Sequence, residues 1–189
     1  MKTLITSLKI FMLLTVITGI AYPLFLTGIA QVFFPSKANG SFVYRNEKAV
    51  GSRLIGQQFD STIYFSSRPS AINYNPLPSG GSNYGITNSR LKQQVEERRN
   101  KFINFNQLSS SADVPSEMLF ASGSGLDPHI SAEAALLQID RISEARHFNA
   151  VQKQELVDLV KKHTEPPQFK ILGEERVNVL LLNLDLDKI

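Results

Sequence analysis

The sequence predicts an α+β fold: one mixed α/β soluble body attached to a single N-terminal transmembrane helix. Three observations lead there. Ile10 to Ser36 is a run of 27 residues without a charge. Between Asn88 and His163, apolar residues recur at helical spacing behind capping residues. Around that region lie short β-type runs, closing with an alternating C-terminal stretch. The 189 residues suffice for one ordinary domain and an appendage. The expected division is residues 1–36 as flank and anchor and residues 37–189 as the body.

The anchor comes first. Ile10 to Phe34 would be about 37 Å long as a helix, enough to cross a bilayer with some tilt. A cleaved secretory signal is the alternative reading. Such signals have apolar regions of about 7–15 residues, and this one is longer, although Gly28-Ile29-Ala30 offers a cleavage site. Thr15, Gly19, Pro23, Thr27 and Gln31 recur every four residues. They make a slowly drifting stripe of small and polar side chains on which a partner's membrane helix can dock. The other reading is that membrane helices tolerate such residues anywhere. Pro23 removes a backbone donor and should kink the helix. Lys2 and Lys9 favour a cytoplasmic N-terminus, whereas Lys37, Arg45, Lys48 and Arg53 argue the opposite way. The short N-terminal flank is easily retained inside, so the expectation is a body outside the membrane.

The body begins with strand-like runs at Ser41–Tyr44 and Ser61–Phe65, with Leu54-Ile55 between Gly51 and Gly56 as a strand or a tight turn. Residues 73–88 are almost all turn formers, a long loop of the kind that carries function or meets a partner. Thr87 or Asn88 caps a helix to about Phe105, with Leu91, Val95, Phe102 and Phe105 on its apolar face. Pro115-Ser116 opens a short helix that Gly123 or Gly125 ends. Asp127 or Ser131 caps a further helix to about Arg146, burying Ala132, Ala135, Leu136, Ile139 and Ile142. Asn149 with Gln152 reads as a capping box for a helix to His163. Val177–Asp187 reads as an internal strand, with a bulge or two buried faces where its alternation slips at Leu180–Leu182.

Composition removes several classes of chemistry. Cysteine is absent, which excludes disulfides, thiolate metal sites and a cysteine nucleophile. The net charge is +3; without Lys2 and Lys9 the rest carries +1. No basic patch suited to nucleic acid is evident. There is no Walker-type phosphate loop and no Asp-Lys-Thr-Gly phosphorylation site. Ser124, Asp127 and His129 lie within six residues, whereas catalytic triads assemble from distant segments. Asp127-Pro128-His129 fits a helix start better. Asp127, His129, His163 and Glu165 lack metal-ligand spacing, so no metal site is expected. Arg98, Arg99, Lys92 and Lys101 alternate with Glu96 and Glu97, as on a solvated helix face. Ser79, Gly80, Gly81 and Ser82 are similar to the Ser-Gly-Gly core of a nucleotide-contacting loop, with a structural turn as the plainer reading. Asn83, Thr87, Asn88, Ser122, Ser124, Asp127 and His129 are candidates for a partner surface, because they are polar loop residues without a catalytic constellation.

Longer segments carry a family resemblance. Gly51-Ser-x-Leu-Ile-Gly-Gln57, Arg68-Pro-Ser-Ala71, Ser79-Gly-Gly-Ser-Asn83, Ala121-Ser-Gly-Ser-Gly-Leu-Asp-Pro-His-Ile-Ser131, His163-Thr-Glu165 and Arg176-Val-Asn-Val-Leu180 occur in order over nearly the whole chain. Together with the anchor they resemble KdpC, the small accessory subunit of the Kdp potassium-transporting ATPase. Glu175 stands where that pattern has proline.

The resemblance implies a non-catalytic accessory subunit of a bacterial inner-membrane complex for potassium uptake. Its partners would be a P-type ATP-hydrolysing subunit, a channel-like potassium-binding subunit and a very small single-span subunit. The implied role is to stabilise the assembly and to act as a catalytic chaperone that raises ATP affinity in the P-type subunit. The alternative is an anchored nucleotide-binding module that brings its Ser-Gly-Gly loop directly to an ATP site. No cofactor of its own is expected, and ATP would enter only through the complex.

Overall fold

The structure is a computed structural model that describes residues 1–189. The chain divides into two compact units, Met1–Ser52 and Arg53–Ile189.

The first unit opens with an apolar helix, Lys2–Phe33, long and apolar enough to cross a membrane and without a buried residue. It begins eight residues before the uncharged run. It is built from α1 (Lys2–Val16), a π turn (Ile17–Ala21) and α2 (Tyr22–Phe33). The π turn answers to Pro23. Proline has no N–H to give the Gly19 carbonyl, and its ring crowds that carbonyl. The chain widens one turn, so that the Tyr22 N–H reaches back to Ile17 O, and the helix continues. A short helix α3 (Pro35–Ala38) follows, then an antiparallel hairpin of β1 (Phe42–Arg45) and β2 (Lys48–Ser52). Asn46 and Glu47 at its turn both have positive φ.

The second unit is mixed α and β. Its helices are α4 (Ser89–Phe105), α5 (Ala132–Leu136), α6 (Ile139–Ala145), α7 (Ala150–His163) and α8 (Val179–Leu186). One helical turn at Ser116–Met118 stands apart. A small antiparallel sheet has β5 (Arg176–Asn178) in the middle, flanked by β3 (His129–Ile130) and β4 (Thr164–Glu165). Phe65, Ile142, Leu156, Val160, Val177, Leu182 and Leu186 form the centre of the core.

Several sequence expectations are corrected. Ser61–Phe65 is not a strand. Its backbone groups bond to helix side chains instead of a neighbouring strand. Arg141 donates to the carbonyls of Thr62 and Tyr64, and Arg146 to that of Ile63. Asn183 accepts from Phe65 N–H at 2.8 Å and donates to Phe65 O at 2.9 Å, and Gln138 accepts from Ser66 N–H at 2.7 Å. These buried backbone groups are thereby satisfied without a ladder.

The helix expected to run to Arg146 breaks between Leu136 and Ile139. Gln138 is fully buried there to serve Ser66, and Leu136 turns to the surface. The short helix begun at Ser116 ends at Met118, before Gly123 and Gly125. The C-terminal stretch is a strand only to Asn178. Asn178 then accepts from Leu181 N–H and caps α8. Val179, Leu182 and Leu186 are spaced three and four apart, so the slip in alternation marks a helix.

Candidate functional site

In the anchor, the hydroxyl groups of Thr15 and Thr27 donate to the carbonyls of Phe11 and Pro23, within their own helix. Gln31 forms a two-way amide pair with Asn39, at 3.3 and 3.1 Å. The polar members of the stripe are therefore satisfied without a partner. A Cβ on Gly19 would meet nothing within 4 Å, which leaves an open helix face. On a regular α-helix, four steps of four residues drift by about 160°. The π turn rotates less per residue and counters that drift. Thr15, Gly19, Pro23, Thr27 and Gln31 are thus drawn towards a common face.

In the body, two separate glycine-rich segments meet. The Gly80 N–H donates to Ser124 O at 3.0 Å, and a Cβ on Gly81 would stand 3.2 Å from Gly123 O. Gly125 has φ +70°, and a Cβ there would lie 2.6 Å from Ile72 and 2.9 Å from Gly80 O. Both the backbone conformation and the space require glycine. Ser70 clasps the junction by donating to Gly125 O at 2.7 Å, and Gly56 N–H reaches Leu126 O at 2.7 Å. The Ser79–Ser82 loop is thus seated on Ser122–Leu126.

Asp127 is the polar centre of this junction. It takes Arg68 at 2.7 Å and both the backbone N–H (3.0 Å) and Nδ1 (3.3 Å) of His129. Burial raises the Asp127 pKa, but the bonds from His129 and Arg68 outweigh it and leave the carboxyl below its ordinary range. Asp127 therefore holds the entry to β3 and does not start a helix. Ser131 caps α5 instead, accepting from Ala134 N–H. Ser122 is buried, with its Oγ accepting from Asp127 N–H, while Ser124 Oγ accepts from Leu126 N–H. Asn88 caps α4 through Arg90 N–H, and Asn83 and Thr87 are exposed. Beside the junction lies a depression of about 500 Å³ lined by Leu54, Ile55, Arg68, Ser122, Ser124 and Asp127.

The acids and histidines separate into local pairs. His163 bonds Asp185 at 2.8 Å, and Glu165 bonds Arg176 and Arg53. No group of three or more His, Asp or Glu converges on a point where a metal would sit.

One feature escaped the sequence reading. Arg98 and Lys101 do not lie on a plain solvated face. They border a cleft of about 490 Å³ together with Arg68, Tyr74, Phe59 and Phe105. Arg98 donates to Leu119 O at 3.0 Å, and burial lowers its pKa. Burial also pushes the Tyr74 phenol up to about 12, and its hydroxyl donates to Arg68 O. The Arg68 Nε faces no acceptor. Nothing in the local pattern Glu96-Glu97-Arg98-Arg99 signals this cleft, because its other wall comes from residues 58–74.

One N-terminal helix long and apolar enough to cross a membrane, joined to a mixed α/β body, is the architecture of a singly anchored membrane protein. Comparison with known proteins gives that class a family. The profile described as "KdpC: K+-transporting ATPase, c chain" matches residues 4–188. A potassium-transporting ATPase KdpC subunit of Pectobacterium atrosepticum is 47% identical, covering 100% of this chain and 97% of the relative. One from Polynucleobacter asymbioticus is 46% identical, covering 99% of each, and one from Clostridioides difficile is 40% identical, covering 100% and 98%. The chain belongs to the KdpC family.

Proposed function

We propose that this chain is the non-catalytic accessory subunit of an ATP-driven potassium-uptake complex. It stabilises the assembly and raises ATP affinity in the P-type subunit. Family membership supports the accessory role, since the relatives are named as subunits of a potassium-transporting ATPase. The observation that carries the finer reading is the anchor. It presents an open face at Gly19 with every polar side chain of its stripe already paired, so a neighbouring helix can approach closely. The partners would be the P-type subunit, the channel-like potassium-binding subunit and the very small single-span subunit. The body would lie outside the inner membrane, over the potassium entrance. ATP would then be influenced through the membrane helices, as a coupling free energy between sites.

The direct nucleotide loop is the weaker alternative. A phosphate cradle needs free backbone N–H groups. At Ser79–Ser82 the Gly80 N–H is committed to Ser124 O, and Gly81 is packed against Gly123. These contacts suit a loop that shapes a partner surface.

The test is Gly19→Leu. The isolated chain should insert and keep its helix content, since Gly19 touches nothing within the chain. The yield of intact complex after affinity purification through the P-type subunit should fall severalfold. Unchanged yield with unchanged ATP affinity would remove the docking face from the account.

A further inference from the structure

The tip of the connection between β4 and β5 is an apolar projection with no role in the core. Gln168 and Leu172 pair as an isolated antiparallel bridge, and Ile171 N–H donates to Gln168 O at 3.1 Å. Phe169 and Lys170 between them have φ of 55° and 61°. Tight turns of this form usually take Asn-Gly, because bulky residues are disfavoured in the left-handed region. Here two large side chains occupy it and project outward. Phe169 is 86% exposed, Ile171 83% and Leu172 60%. Lys170 is the only charge between Glu165 and Glu174.

We propose that this tip inserts into the headgroup boundary of the bilayer that holds the anchor. Phe169, Ile171 and Leu172 enter the upper acyl region, and Lys170 meets lipid phosphates. Three considerations favour lipid over a protein partner. The projection is one narrow turn, whereas a specific protein interface buries about 800 Å² on each side. An aromatic and two aliphatic residues beside a single lysine have the composition of side chains that sit at the boundary between acyl chains and headgroups, the lysine reaching back to the headgroups. Finally, the N-terminal helix tethers the body to a membrane, so contact is intramolecular and a few side chains suffice. The proposal rests on that helix being membrane-inserted.

The chain has no tryptophan, so one substitution makes a single indole reporter. The full chain is reconstituted into vesicles of phosphatidylglycerol and phosphatidylcholine, with and without brominated acyl chains. Phe169→Trp should emit at shorter wavelength than free indole in buffer and lose most of its intensity to brominated lipid. Phe25→Trp in the anchor should be quenched as well, and Val151→Trp on exposed α7 should not. If Phe25→Trp is quenched and Phe169→Trp is not, the tip proposal is overturned while the anchor stands. If neither is quenched, the anchor reading fails and the proposal falls with it. Equal quenching of Val151→Trp would mean that the body lies broadly on lipid and the tip is not a specific contact, which also overturns the proposal. Shielding of the Phe169→Trp indole only after the larger subunits are added would make the tip a protein contact, with the same consequence.

Discussion

The two units of this chain satisfy their polar groups by opposite means. In the anchor, threonine hydroxyls bond to carbonyls four residues back, and the longest helix-side link joins Gln31 to Asn39. In the body, bonds leap along the chain. Asn183 serves Phe65 across 118 residues, and Asn178 donates to Arg53 O across 125. Apolar side chains divide in the same way. Those of the anchor are exposed along its whole length and need a medium other than water, whereas the body's are buried among themselves. The anchor is a helix wherever it is placed in lipid, but the body is folded only when distant segments meet.

The greatest loss is expected at Arg141, which is 3% exposed and pairs with no carboxylate. It gathers Thr62 O, Tyr64 O, Asn106 Oδ1 and Gln138 Oε1, and its guanidinium lies 4.5 Å over the Phe105 ring. Burial lowers its pKa to about 10, so it remains charged at neutral pH. Arg141→Ala orphans several buried acceptors and should cost the body about 4 kcal/mol in chemical denaturation. A loss below about 1 kcal/mol would mean that water replaces the guanidinium.

Gly125→Ala should come next, at about 3 kcal/mol, since it combines a left-handed backbone with overlap against Ile72 and Gly80 O. Its proteolysis pattern should open first in the 70–82 and 120–127 segments. Wild-type resistance there would contradict the seating of one loop on the other.

Acid should have a smaller effect. Asp127 and Asp185 both have pKa values held below the ordinary range, Asp127 by His129 and Arg68 against its burial, Asp185 chiefly by its bond from Lys188. A depressed acid contributes stability above its unfolded value, near about pH 4, and that contribution is lost as pH falls through the folded value. Melting temperature should therefore drop below about pH 4, and Asp127→Asn should flatten that limb. An unchanged slope in Asp127→Asn would assign the acid loss elsewhere.

The smallest effect sharpens the contrast. Leu14 is exposed in the anchor, so Leu14→Ala should leave the body's stability within about 0.5 kcal/mol of wild type. The same truncation at Leu156, fully buried, should cost about 3 kcal/mol. Equal losses at the two positions would erase the distinction between the units.

Legibility in the sequence follows the same divide. The caps at Asn88, Ser131 and Asn149 with Gln152 can be read because each bonds within three residues. The anchor can be read from its apolar run. Ser61–Phe65 is misread as a strand because its partners are Arg141, Arg146 and Asn183, which no local pattern connects to it. Residues 179–186 are misread because a run of leucines satisfies period two and period 3.6 together. At the candidate site, the turn-forming character of 79–83 and 121–126 is visible in their glycines and serines, but their mutual seating depends on a Gly80–Ser124 contact that the sequence does not encode locally.

If the body is extracytoplasmic, as proposed, it can influence a cytosolic ATP site only through the membrane helices, and the absence of cysteine makes its side directly measurable. Ser110 is exposed and suits a single Ser110→Cys label, whereas Ser41 is buried and does not. Treated with a membrane-impermeant maleimide, intact cells that make the complex should label the introduced thiol as fully as permeabilised cells do. Labelling only after permeabilisation would put the body in the cytoplasm, contradict the extracytoplasmic placement from which transmission through the membrane helices follows, and return the Ser79–Ser82 loop to consideration as a direct nucleotide contact.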